Sequence, residues 1–188
     1  MTTTDLWYAS RGSGLVLLAV LTSTIGLGAL ARSGWRPGGW PRFVIQDLHR
    51  TLALFALAVG VLHIVTAELD PFVRLGWLAV VLPFSSSYRP LWMGAGAIAL
   101  ELLLAVVATS LVRQRLGHAA WRSVHQLVLL AWPLTLAHVV GMGPDVAIPA
   151  VAAGVAGCGI LGLIALALRV DEPPRPGAAR LGVGGGAR

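Results

Sequence analysis

Five apolar stretches, separated by short polar segments, dominate the pattern along the chain: residues 14–31, 43–66, 91–112, 120–140 and 146–168. Each is close to the roughly 17–25 residues that an α-helix needs to cross a bilayer. The expected fold is therefore all-α, an integral membrane bundle of five transmembrane helices. A sixth apolar stretch, 72–84, has only 13 residues and contains Arg74. As a helix it would be about 20 Å long, too short to span. An interfacial or partly re-entrant segment is expected there.

Composition narrows the class. Of 188 residues, 56% are hydrophobic and 12% charged, and the mean hydropathy is +0.79. A soluble domain carries about 25% charged residues. Half that share excludes a soluble globular enzyme, and the apolar excess excludes a disordered chain. The length suits five spans with short loops and leaves no room for a separate nucleotide-binding domain beside them.

The net charge of +6 would suit a nucleic-acid partner, but all 14 basic residues are arginines lying between apolar runs. Their distribution reads as membrane orientation, with no nucleic acid involved. Arg32, Arg36, Arg42 and Arg50 follow the first span or open the second. Arg113, Arg115 and Arg122 lie between the third and fourth, and Arg169, Arg175, Arg180 and Arg188 follow the fifth. These 11 define a cytoplasmic side, whereas Arg11, Arg74 and Arg89 share the other with Asp5, Glu68, Asp70 and Asp145. The N-terminus is expected outside and the C-terminus in the cytoplasm of a multi-pass plasma-membrane protein. The arginines just after Ala29-Leu30-Ala31 argue against reading that tripeptide as a signal-peptide cleavage site. A membrane domain over 1–170 and a disordered cytoplasmic tail over 171–188, rich in Pro, Gly and Arg, complete the organisation.

Few residues carry chemistry. Cys158 stands alone in an apolar run and reads as a small packing residue. Gly154, Gly157, Gly159 and Gly162 imitate a dinucleotide fingerprint, but inside an apolar span they read as helix-contact positions. The histidines are different, because an ionisable side chain in a membrane helix is costly and marks a site. His49 and His63 lie 14 residues apart on the second span, and His125 and His138 lie 13 apart on the fourth. Fourteen helical residues rise about 21 Å and return to within roughly 40° of the same face. The second and fourth spans run parallel, so His49 meets His125 at one depth and His63 meets His138 at the other. Two imidazoles bracketing an iron porphyrin account for each pair. A zinc or copper site would need its ligands clustered at one depth. The 13-residue interval leaves its histidines about 140° apart on an ideal helix. A kink at Pro133 with a tightened turn is expected to re-phase them. His118, in the cytoplasmic loop, reads as a solvated surface residue.

These residues resemble the ferric reductase-like transmembrane domain family, which includes ferric reductases, NADPH oxidases and the haem-binding membrane subunit of methionine sulfoxide reductase. The shared features are the two histidine spacings, Asp47-Leu48-His49-Arg50, and Ser86-Ser87-Tyr88-Arg89-Pro90-Leu91-Trp92 before the third span. The resemblance extends over residues 6 to 170. It implies a b-type cytochrome with two haems, the inner held by His49 and His125 and the outer by His63 and His138, with these four imidazoles as axial iron ligands. Electrons would come from a separate flavoprotein reductase or membrane quinol, because no flavin and nicotinamide domain follows Val170. They would leave to ferric iron or a partner redox protein outside.

Haem propionates favour arginine. Arg50 and Arg122 suit the inner haem, and Arg89, with Tyr88, the outer. Trp132 or Phe55 is placed between the two depths, where an aromatic ring would shorten the electron path. Small residues such as Ala56, Gly60 and Ala131 would admit a flat porphyrin. Glu101, mid-way along the third span, is expected to be protonated or paired inside the bundle. It also supports an alternative, a His- and Glu-lined metal or proton transporter without haem.

Overall fold

The computed structural model describes residues 2–33, 37–71 and 75–170. The tail expected over 171–188, together with Trp35, Arg36 and Arg74, lies outside the described residues. All regular structure among the described residues is helical: α1 (Thr3–Ser33), α2 (Arg42–Leu69), α3 (Trp77–Val81), α4 (Pro90–Leu111), α5 (Arg113–Leu116), α6 (His118–His125), α7 (Val128–Met142) and α8 (Pro149–Val170). Five candidate membrane spans result, with α6 and α7 together forming the fourth.

Local chemistry sets the helix ends. α1 starts eleven residues before its apolar run. Its first turn is closed by a reciprocal cap: Thr2 Oγ1 accepts from the Asp5 amide at 3.2 Å, and the Asp5 carboxylate accepts from the Thr2 amide at 2.8 Å. Such a pair satisfies amides that a helix start leaves unbonded. Proline occupies the first position of α4 and of α8, where its missing N–H costs nothing. Among its described residues the short apolar stretch yields the five residues of α3, packed on α4, with Trp77, Leu78 and Val81 exposed. That agrees with a segment too short to span.

The fourth span departs from a single helix. It breaks at Gln126–Leu127, nearly two turns earlier than the expected kink, and α7 runs through Pro133. Pro133 itself stands inside α7, six residues beyond Leu127. Its ring crowds the carbonyl four residues back, at Leu129, and removes that carbonyl's partner. The turn before it tightens, with the Leu129 amide bonding to Gln126 O and the Leu130 amide to Leu127 O, each at 3.0 Å.

α1 is the spine of the bundle. Leu18, Leu21, Ile25 and Ala29, at helical spacing, are buried along its length, and α2, α7 and α8 all pack on it. α4 packs on α7. The core gathers Leu21, Ile25 and Ala29 with Ala56 of α2, Trp132 of α7 and Ala165 of α8. Trp132 is 2% exposed and donates its indole N–H to Thr22 Oγ1 of α1 at 3.0 Å. Gly162 of α8 leaves the space that the indole fills, and Gly159 lies beside Leu136, whereas Gly154 and Gly157 face open space. The glycine run is thus a contact face in its second half only. Cys158 is half-buried. Large apolar side chains such as Leu54, Ile160 and Leu163 point outward, as lipid-facing positions do.

Candidate functional site

The four intramembrane histidines meet in two pairs. The ring centroids of His49 and His125 are 6.2 Å apart, and those of His63 and His138 are 6.4 Å apart. A metal–imidazole bond is about 2 Å long, and each ring centre lies about 1 Å beyond its nitrogen. Two imidazoles sharing one metal ion therefore have centroids about 6 Å apart. Among the described residues no third His, Cys, Asp or Glu joins either pair. Two imidazoles leave most positions of a metal ion to other ligands, as the axial histidines of a porphyrin iron do.

Each imidazole is oriented from behind. His49 Nδ1–H donates to Thr24 O at 2.9 Å, His63 Nδ1–H to Ser10 O at 2.8 Å, and His138 Nδ1–H to Trp92 O at 2.8 Å. A carbonyl can only accept, so the proton sits on Nδ1 and Nε2 is the basic nitrogen of each ring. His125 reaches the hydroxyl of Ser110 instead, with Nδ1 at 3.5 Å from Oγ. Ser110 gives its own hydrogen to Val106 O and accepts the Trp121 indole N–H at 3.2 Å. Toward His125 it can only accept, so the same tautomer results. Carbonyl or hydroxyl partners of this kind fix ring orientation and raise ligand basicity at metal sites.

Small residues create these berths. A helix carbonyl normally bonds the amide four residues on, and the side chain there blocks lateral approach. Glycine stands four residues after Ser10, Thr24 and Trp92, at Gly14, Gly28 and Gly96. A Cβ on Gly14 would lie 3.0 Å from Cε1 of His63, and one on Gly96 would strike the His138 ring. At the fourth berth, Ser110 holds the corresponding place after Val106.

A cavity of about 510 Å³ opens beside His63 and His138, within the roughly 300–1,000 Å³ of small-molecule sites. Apolar side chains of α1, α2, α4 and α7 line it, including Leu17, Leu57, Ile64 and Leu100. Trp7, Arg11, Glu68, Asp70 and Asp145 line it too. Arg11 pairs with Asp145 at 2.8 Å and lies over the Trp7 ring at 4.4 Å, tying α1 to the turn after α7.

The other expected site residues divide. Tyr88 lines the cavity. Arg89 is held in a left-handed conformation (φ 45°) at the start of α4 and donates to Gly141 O at the end of α7. Arg11, which sequence reasoning used only for orientation, is the arginine that lines the cavity. Arg50 and Arg122 are exposed near His49 and His125 in sequence. Trp132 belongs to the α1–α8 core described above. Phe55 is 50% exposed on the outside of α2, so it does not stand between the pairs. His118 is exposed, as expected.

The pairing expected of Glu101 is not found. It is exposed on the outer face of α4 and makes no hydrogen bond or ion pair among the described residues. The carboxyl therefore does not pair inside the bundle, because the rotation of α4 is set by its packing on α7. If the histidine pairs hold haem, Glu101→Gln is expected to leave that haem and its absorption spectrum unchanged. A transporter built on the histidines and Glu101 would instead lose transport in liposomes.

The family model for the ferric reductase like transmembrane component matches residues 13–136. The chain belongs to this ferric reductase-like family. The match takes in His49, His63 and His125 and ends two residues short of His138. No curated protein and no solved structure matches the chain. Family and fold together make this ferric reductase-like chain a multi-pass membrane protein.

Proposed function

We propose that the protein is a di-haem b-type cytochrome of the plasma membrane that carries electrons across the bilayer. The observation that supports this most is the pair of 6.2 and 6.4 Å imidazole separations. His49 and His125 would hold the inner haem, and His63 and His138 the outer. The residues fit the group: the rings are oriented from behind by Nδ1 bonds, glycines clear their flanks, and an apolar cavity lies beside the outer pair. The haem supplies the change between ferric and ferrous iron; the protein supplies ligands, spacing and a dry shell.

The excess of arginine at one end supports an N-terminus outside and a cytoplasmic C-terminus. Arg50 and Arg122 would meet inner propionates, and Arg89 and the cavity-lining Arg11 would serve the outer ones. Electrons enter from a cytoplasmic flavoprotein or quinol and leave to ferric iron or a partner redox protein. Two depths about 21 Å apart along α2 divide the bilayer into two steps. The test is a reduced-minus-oxidised absorption spectrum and a haem assay on the purified protein. Two b-type haems per chain are expected, and a colourless protein would overturn the reading.

A further inference from the structure

We propose that Trp121 is the bridge by which electrons reach the inner histidine pair, from a donor whose contact face is anionic. This rests on the di-haem reading and adds the receiving point and the donor's charge class.

α6 places His118, Trp121 and His125 at i, i+3 and i+7, on one helix face. The result is a column of rings. His118 and Trp121 have centroids 5.6 Å apart, and Trp121 stacks on His125 at 5.0 Å with planes 30° apart. His125 then faces His49 at 6.2 Å. His118 is exposed, so the column runs from the surface to an expected iron ligand. His63 and His138 have no such column: among the described residues their ring contact is with each other. Ser110 lies beside both inner rings: its hydroxyl accepts from the Trp121 indole and faces His125 Nδ1, while the stacking itself is ring on ring.

The surface end is a concavity lined by Arg113, Gln114, Gly117, His118 and Trp121. Arg113, Arg115 and Arg122 are exposed around it, and no carboxylate occurs between Glu101 and Asp145. Such a field attracts an anionic donor and repels a cationic one. One electron would leave the reduced donor and be taken up by the ferric iron that His125 and His49 would hold, the haem supplying the ferric–ferrous change. No bond forms or breaks at Trp121, and the indole serves as a π-stacked path.

The experiment uses the full haem-loaded chain in lipid nanodiscs and follows haem absorbance after mixing with photoreduced flavin mononucleotide, a planar anion. The methyl viologen radical, a planar cation, is the comparison. Reduction by the flavin is expected to slow as salt rises, because screening weakens the attraction, whereas the viologen rate should rise. Trp121→Leu should slow flavin-driven reduction several-fold with haem content and spectrum unchanged. Trp121→Phe, which keeps the ring and loses the bond to Ser110, should stay near the wild-type rate. The proposal is overturned if Trp121→Leu is as fast as wild type, if it loses the inner haem, or if Trp121→Phe is as slow as Trp121→Leu. It is also overturned if both reductants respond alike to salt. Failure of the di-haem reading is seen separately, as missing haem in the wild-type spectrum before any reductant is added, and it takes this proposal with it.

Discussion

His63→Ala or His138→Ala, each alone, is expected to remove about half of the bound haem and to leave the rest with an unaltered spectrum, because each iron depends on one pair of axial imidazoles. His49→Ala or His125→Ala should remove the other half. Combining one substitution from each pair should empty the protein. The basis is the separation of the pairs along α2 and along the α6–α7 span, with no shared ligand among the described residues. Sites that share no partners respond independently. A pyridine haemochrome assay on equal amounts of folded protein measures the result. Retention of both haems in His63→Ala and His138→Ala would sink the two-site reading. Loss of both would show that the depths are coupled. A refinement separates ligation from folding: a cavity left by His63→Gly should accept free imidazole and regain the lost haem. A histidine that only braced helices would show no such rescue.

The spans were legible because length and apolar content alone decide them, so all five recur in the fold. Their ends were less so. Thr2 and Asp5 extend α1 beyond its apolar run through a cap that hydropathy does not register. The histidine pairing was legible because ionisable residues stand out against apolar runs, and their spacing has few readings. The mechanism of alignment was only partly legible. Pro133 was visible, but the helix runs through it and breaks instead at Gln126–Leu127.

What sequence could not show is rotation about each helix axis. Phe55 and Glu101 sit at the right depth and face outward, because packing on α1 and α7 decides which side of α2 and α4 is inside. The acceptors behind the histidines were hidden for another reason: three are backbone carbonyls, which every residue carries. Their trace is the glycine four residues later, at Gly14, Gly28 and Gly96. That signal acquires meaning only once an imidazole is known to approach.

Gly96 tests this account most sharply. Glycine in a helix is ordinarily about 1 kcal/mol less favourable than alanine, so Gly96→Ala would be stabilising if the position were merely a packing site. The structure predicts the opposite. A Cβ at Gly96 would lie 2.7 Å from Cε1 and 2.9 Å from Cγ of His138, closer than atoms tolerate. The ring cannot slide aside without losing its bond to Trp92 O, which is 2.8 Å long. Either the imidazole swings off its axis or α4 retreats from α7, and both misplace Nε2. Positioning errors of about 1 Å are enough to disable a site built on fixed geometry. Gly96→Ala should therefore lose or broaden the outer haem signal and spare the inner one. Gly96→Val should abolish the outer signal. Gly154→Ala is the matched control, since nothing lies within 4 Å of the added carbon. It should keep both haems and raise the unfolding temperature slightly. Equal behaviour of Gly96→Ala and Gly154→Ala would show that the close approach of His138 to α4 plays no part in holding the haem.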